Sequence, residues 1–465
     1  MGLALDSHGG VYLQNDNLEF IEHFEKKLVG SSTSMALVYK DRSYSYEDLS
    51  GFYESSTQKL IDEQVKAGDV VLLVGDFDPV TISFLVSLIR IKAIIVPLLR
   101  SHTDLYVQEA GLIAGMDFKL CVDSNLQINL TRFSPAVKNQ LIIEFKKMGR
   151  PGLILLSSGS TGKPKAALHD FSKLLAKFIM PSHGQTMINF LMFDHWGGLN
   201  TLFYILGGAG TVITTENRSP ENICELLEKW KIEVLPASPS FLNLLLLSQA
   251  YIGRDLSNLR LITYGSEPMP QSTLDKARKV FPDVSFKQTY GLIELGVFKT
   301  KSKSSDSLFI KIDPQDCQYR VVDGLLELKT NSAMLGYLNA PSPFTEDGWF
   351  KTFDSVEVDG EYLKILGRKS ELIIIGGEKV YPIEIETRIL EHPNVEDVLV
   401  YKEAHPLMGN IVCAKIKLIS PQNEKEFVLE IKKFCAEAFP PYKIPSRIKI
   451  SSESLSGTRQ KKIRI

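Results

Sequence analysis

The sequence predicts a multi-domain α/β (α+β multi-domain) protein. It has a large N-terminal domain of parallel sheets covered by helices, a small barrel-like subdomain and a small C-terminal α+β domain. Three observations carry this. Short β-branched runs alternate with helical patterns over about the first 350 residues. The texture changes to short strands and turns from about Leu308 to Leu366. It changes again after Gly367-Arg368. Strand–helix alternation implies parallel strands with helices on both faces.

Taken in order, Val70 to Gly75 is an apolar run of strand length, Val80 to Ile89 a buried helix, and Ala93 to Pro97 the next strand. The rhythm returns with a strand at Gly210 to Thr214, a helix at Pro220 to Trp230 and a strand at Val234 to Pro236. A strand at Leu259 to Tyr264 and a helix at Gln271 to Val280 follow. Lys299 to Ser307 is polar and predicts a solvated loop. Gly324 to Leu328 and Tyr362 to Leu366 predict strands of the small subdomain, and Leu372 to Ile375 and Val398 to Tyr401 strands of the C-terminal domain. Phe427, Ile431, Phe434 and Cys435 recur at helical spacing within Phe427 to Ala438, which Pro440 and Pro441 close. The domain boundary falls near Arg368 to Ser370, giving an N-terminal domain 1–367, a hinge 368–370 and a C-terminal domain 371–465.

Composition bounds the function. With 465 residues, 44% of them apolar, the chain can bury large cores. A formal net charge of −2 gives no reason to expect nucleic acid. The longest apolar run, near Val80 to Ile89, is too short to span a bilayer, so membrane insertion is not expected. Five scattered cysteines form no CxxC pair, and no apolar leader opens the chain. Together these lead to the expectation of a reducing, cytoplasmic location.

The chemistry concentrates in loops after strands, where ligands of parallel sheets sit. Leu153 to Leu156 is a buried strand, followed by Ser157-Ser158-Gly159-Ser160-Thr161-Gly162-Lys163-Pro164-Lys165. Glycines and hydroxyls packed this way let backbone N–H groups surround an anion, and the lysines add positive charge. Ser157 and Pro164 stand where a Walker A loop needs Gly and Ser/Thr, so this is a different phosphate loop.

The segment resembles the signature loop of the adenylate-forming superfamily, which includes acyl-CoA synthetases, peptide-synthetase adenylation domains and luciferases. It matches the pattern Ser/Thr-Ser-Gly-Ser/Thr-Thr-Gly-x-Pro-Lys at every fixed position, and further motifs occur in the family's order. Tyr290-Gly291-Leu-Ile293-Glu294 is similar to Tyr-Gly-x-Thr-Glu. The resemblance implies that Tyr290 stacks on adenine and that Glu294 holds Mg²⁺ against the phosphates. Gly265-Ser266-Glu267-Pro268 is similar to the loop lining the adenine and acyl pocket. Asp347 to Asp354 resembles the Asp-Gly-Trp motif, which implies that Asp354 accepts from both ribose hydroxyls and that Arg368 also reaches the ribose. Ser370 falls on the family hinge and Gly376-Gly377 on the turn that borders the thiol tunnel. Alignment of the tail on Thr458 places the catalytic lysine at Lys462. Four positions depart from the family pattern: Ile293 stands where it usually has Thr, Phe353 and Lys461 where it has Gly, and Ser370 where it has Asp or Lys.

Phe193-Asp194-His195-Trp196-Gly-Gly-Leu199 lies where the acyl-pocket motif belongs, and two registers are open. In one, His195 sits beside the substrate carboxylate or gates its entry. In the other, Asp194 pairs with the ammonium of an amino acid. The resemblance implies ATP-dependent activation of an aryl or fatty acid to an acyl-adenylate. Lys462 and Lys165 would neutralise charge, the C-terminal domain would move as a lid, and CoA or carrier-protein phosphopantetheine would accept the acyl group. The alternatives are an aminoacyl carrier-protein ligase, an adenylate-forming enzyme without the thiol step, and a catalytically weakened nucleotide-binding homologue.

Overall fold

The computed structural model describes residues 19–133, 139–158, 164–179, 184–375, 378–405, 409–453 and 455, together with the backbone of the strands Leu3–Leu5 and Val11–Leu13. Two compact units emerge. One comprises Met1–Glu216, Ile293–Gly296 and Ser332–Ser342; the other comprises Asn217–Leu292, Val297–Asn331 and Pro343–Ile465.

The first unit contains a seven-stranded sheet. Its order is Gly336–Tyr337, Pro164–Asp170, Gly152–Ser158, Ile94–Leu99, Val70–Gly75, Phe118–Val122, Ile128–Arg132. The middle strands run parallel, as predicted, whereas both flanks are closed by antiparallel hairpins. Val70–Gly75 and Ile94–Leu99 are buried at every position, because helices cover both faces of a parallel strand. The helix Pro79–Arg90 connects them. Asp78 caps it by accepting from the Thr81 N–H, and Pro79 occupies the first turn, where its missing N–H costs nothing. Arg100 pairs with that buried Asp78 and, at 2.9 Å, with Glu216. Three further strands, Thr186–Asn189, Thr211–Thr214 and Met35–Tyr39, pair in parallel, and Arg42–Ser45 folds back on the last.

His169 lies on Pro164–Asp170 with no exposed surface, and burial pushes its pKa down to about 4. The unfolded chain takes up a proton near pH 6.5 while the folded chain does not, so stability is complete above that pH and is lost as pH falls towards 4. The loss between pH 7 and pH 4 should be about 3 kcal/mol from this residue. Urea unfolding of wild type and His169→Gln at the two pH values checks it; equal losses would remove His169 as the cause.

In the second unit Val234–Ala237, Leu261–Tyr264 and Ser285–Gln288 pair in parallel, with helices Pro220–Lys229, Pro239–Ser248 and Gln271–Val280. The small subdomain is a six-stranded antiparallel sheet. Its order is Thr300–Ser302, Ile310–Ile312, Tyr362–Arg368, Phe350–Asp359, Leu325–Lys329, Gln318–Val322. This corrects one expectation: the polar stretch Lys299 to Ser307 is not all loop, since Thr300–Ser302 pairs with Ile310–Ile312. Edge strands tolerate lysine and serine because one side faces water, so polarity alone misread it.

The C-terminal segment of this unit builds its own core. The hairpin strands Ile373–Ile375 and Glu378–Val380 and the helices Pro382–Ile389 and Glu424–Ala436 accompany a sheet of Val395–His405, Gly409–Leu418 and Arg447–Ser451. Ile385, Ile389, Val398, Val400, Phe427, Ile431 and Cys435 meet between helices and sheet. Three side chains of the preceding helices hold this segment through its backbone carbonyls. Asn243 Nδ2 donates to Glu396 O at 2.9 Å, Ser272 Oγ to Thr387 O at 3.3 Å and Lys276 Nζ to Leu390 O at 2.9 Å. Among the described residues no helix is long and apolar enough to cross a membrane.

Candidate active site

In the first unit, Gly152–Ser158 and Pro164–Asp170 are antiparallel partners, so Ser157 stands opposite Lys165 at the mouth of the hairpin. The loop residues between them, including Gly159, Ser160, Thr161 and Gly162, lie outside the described residues, and Ser158 is described only as backbone. Gly376, Gly377 and Lys462 also lie outside the described residues. Lys165 Nζ stands 5.5 Å from the centre of the Tyr337 ring, a cation–π distance. The Tyr337 hydroxyl donates to Glu294 Oε1 at 2.6 Å, and the Glu294 carbonyl accepts from the Met334 N–H at 2.7 Å. Tyr337 thus links the loop lysine to the predicted metal carboxylate. Glu294 supplies a hard oxygen donor, which fits Mg²⁺. Among the described residues no group of three or more His, Cys, Asp or Glu side chains forms a metal cage. A cation arriving with nucleotide phosphates needs only one or two protein carboxylates.

In the second unit Tyr290 and Asp354 are both buried, and the Tyr290 hydroxyl donates to Asp354 Oδ2 at 2.5 Å. Burial, reinforced by the Asp354 charge, holds the Tyr290 pKa well above its ordinary value, so the phenol stays a donor. Arg368 stands directly across the sheet from Asp354, with Nε 3.7 Å from Oδ1. The pairing that places Asp354 is irregular. Register jumps from Glu327 opposite Lys351 to Leu325 opposite Ser355, so residues 352–354 form a bulge. Thr352 closes it, donating to Leu326 O at 2.7 Å and accepting from the Asp354 N–H at 3.0 Å. Phe353, at the bulge, has φ +59°, left-handed backbone that costs a bulky residue roughly 1–2 kcal/mol. The family's Gly would adopt it freely.

Gly265 ends the strand Leu261–Tyr264 where a Cβ would come within 2.6 Å of Thr289 O, so only glycine fits. Ser266 has φ +71°. Glu267 reaches the start of helix Pro239–Ser248, where its Oε1 accepts from the Ser240 N–H at 2.8 Å. A carboxylate suits the positive end of a helix, so Glu267 braces the loop. Gly291 lies in the short strand Tyr290–Leu292.

The acyl-motif residues of the first unit hold different positions. His195 caps helix Trp196–Gly207, its Nδ1 accepting from the Gly197 N–H at 3.3 Å. Trp196 is 1% exposed and packs edge-on to Phe171, so it belongs to the core beneath that helix. Asp194 is buried, and its Oδ2 lies 2.7 Å from Nε2 of His102. Ser370 falls in the short 3₁₀ turn Lys369–Glu371, where its carbonyl accepts from Lys402 Nζ at 3.0 Å.

Two participants were invisible to sequence reasoning: Tyr337, 43 residues beyond Glu294, and His102, 92 residues before Asp194. Neither lies in a motif, and only the sheet brings them in.

Residues 119–332 match the AMP-binding enzyme family and residues 384–462 the AMP-binding enzyme C-terminal domain. The chain belongs to these AMP-binding enzymes of the adenylate-forming superfamily. A 2-succinylbenzoate–CoA ligase of Listeria monocytogenes is 26% identical over 470 residues, covering 94% of this chain and 97% of that protein. The indoleacetate–CoA ligase of Aromatoleum aromaticum is 26% identical over 436 residues, covering 82% of this chain and 84% of that protein. An anthranilate CoA ligase solved in complex with anthranoyl-AMP shares the fold, with a TM-score of 0.80 at 18% identity over 96% of this chain and 95% of that one.

Proposed function

We propose that this chain is an AMP-forming acid–thiol ligase that activates an aryl acid with ATP and passes the acyl group to CoA. The observation that carries the reading is the buried Asp354 carboxylate, placed on a bulge and flanked by Tyr290 and Arg368. Two carboxylate oxygens suit the paired hydroxyls of a ribose. Lys165 and Glu294, joined through Tyr337, are a cation and a hard oxygen donor of the kinds that phosphate groups and Mg²⁺ take. Bound there, Mg²⁺ would neutralise phosphate charge. The substrate carboxylate attacks the α-phosphorus and pyrophosphate leaves, with Lys462 and Lys165 balancing the charge that builds on the α-phosphate oxygens. The 371–465 segment then turns about Ser370 and brings Gly376 and Gly377 to the adenylate, where the thiol displaces AMP.

Asp194 favours this reading over the aminoacyl alternative, because its carboxylate already engages His102 at 2.7 Å. An ammonium group would have to displace that contact. The names of the relatives point to aryl acids. A carrier protein as acceptor is the second reading for the thiol step, and the free cysteines suit a cytoplasmic enzyme. ATP–pyrophosphate exchange across aryl, fatty and amino acids tests the proposal. Exchange with an aryl acid is expected; exchange with amino acids alone would replace it with the aminoacyl reading. ATP binding without exchange on any acid would leave a weakened homologue.

A further inference from the structure

The backbone at Phe353 answers a structural need, and its side chain stands half exposed. The bulge at residues 352–354 turns Asp354 towards Tyr290 and Arg368, and it does so with φ +59° at Phe353. Glycine would serve that bend without strain. The ring stands half exposed, at 49%, and makes no aromatic or cation–π contact among the described residues. Bulky residues held in left-handed backbone cluster at active sites and ligand clamps. The adjacent residue on one side is the buried Thr352, and on the other the buried Asp354, the proposed ribose anchor.

We propose that Phe353 is a nucleotide-contacting residue whose ring lies against the ribose of bound ATP and of the acyl-adenylate. This rests on the reading of Asp354 as the ribose anchor. An aromatic face covers the apolar C–H edge of a sugar and excludes water from its hydroxyl hydrogen bonds with the carboxylate. The affinity gained offsets the backbone cost, so nucleotide binding is tighter than a glycine would permit.

Four variants separate ring from backbone. Phe353→Gly removes both ring and strain, Phe353→Ala removes the ring and keeps the strain, Phe353→Tyr keeps both, and Asp354→Ala tests the anchor. AMP affinity by calorimetry and thermal midpoints without ligand are measured for each. Phe353→Gly is expected to raise the midpoint yet weaken AMP binding about tenfold, a step in ΔG of about 1.4 kcal/mol. Phe353→Ala should weaken AMP to the same extent with a lower midpoint, while Phe353→Tyr should bind like wild type. If Phe353→Gly binds AMP as tightly as wild type while Asp354→Ala does not, this inference fails and the ribose anchor stands. Wild-type AMP affinity in Asp354→Ala would overturn the ribose reading itself.

Discussion

Asp354→Ala should weaken ATP binding by about a hundredfold, since charge-assisted hydrogen bonds contribute about 1.5–3 kcal/mol each. Asp354 is buried and holds the Tyr290 hydroxyl at 2.5 Å, so the substitution acts twice. It removes the acceptor proposed for the ribose hydroxyls, and it strands a buried donor on Tyr290. The second effect should cost about 1–3 kcal/mol of folding stability. Asp354→Asn separates the two. It keeps an acceptor for Tyr290, so stability should recover most of the loss while nucleotide affinity stays weakened by the missing charge. Adding Tyr290→Phe to Asp354→Ala should restore stability in the same way, because the orphaned hydroxyl disappears with the acid. Unfolding midpoints and calorimetric titration with ATP report on the two effects independently. Unchanged affinity in a stable Asp354→Asn protein would place the ribose elsewhere.

The parts legible in the sequence share a property: their signal is local. Val70–Gly75 and Gln271–Val280 have the predicted bounds because an unbroken apolar run and an amphipathic repeat need no partner to be recognised. The antiparallel flanks of the first sheet were not legible, since pairing direction depends on which strand arrives alongside. The strand Thr300–Ser302 was masked by its lysine and serine side chains. At the site, Tyr290, Asp354 and Arg368 came from motifs, and the fold joins them in one unit. Tyr337 and His102 came only from the fold. Phe353 stood out as a departure from a glycine, but its meaning depends on a φ of +59° that no residue pattern encodes. Trp196 shows the converse: a motif position whose side chain the fold commits to the core. Asp194 is sharper still, because the sequence allowed it to meet a substrate ammonium and the fold gives it His102.

Lys462→Ala should divide the two half-reactions. Adenylation creates negative charge on the α-phosphate and carboxylate oxygens in the transition state. Removing a positioned cation from such a site costs about 10²–10³ in rate. Thioester formation from supplied acyl-adenylate needs no such cation, because the thiol attacks the acyl carbon, no bond to phosphorus forms, and the acyl–phosphate anhydride breaks to release AMP as a stabilised anion. That step should stay within about twofold of wild type, since an interaction absent from its transition state cannot slow it. Lys461 is the adjacent control. It stands where the family has glycine, and Lys461→Ala should leave exchange within about twofold, because a residue that does not meet the developing charge contributes no differential binding. Pyrophosphate exchange reads the first step and thioester formation from synthetic adenylate reads the second. Equal slowing of both steps in Lys462→Ala would mean that the residue supports the fold or the nucleotide and not the adenylation transition state. Slowing of exchange in Lys461→Ala alone would transfer the role by one position, with the two-step mechanism intact.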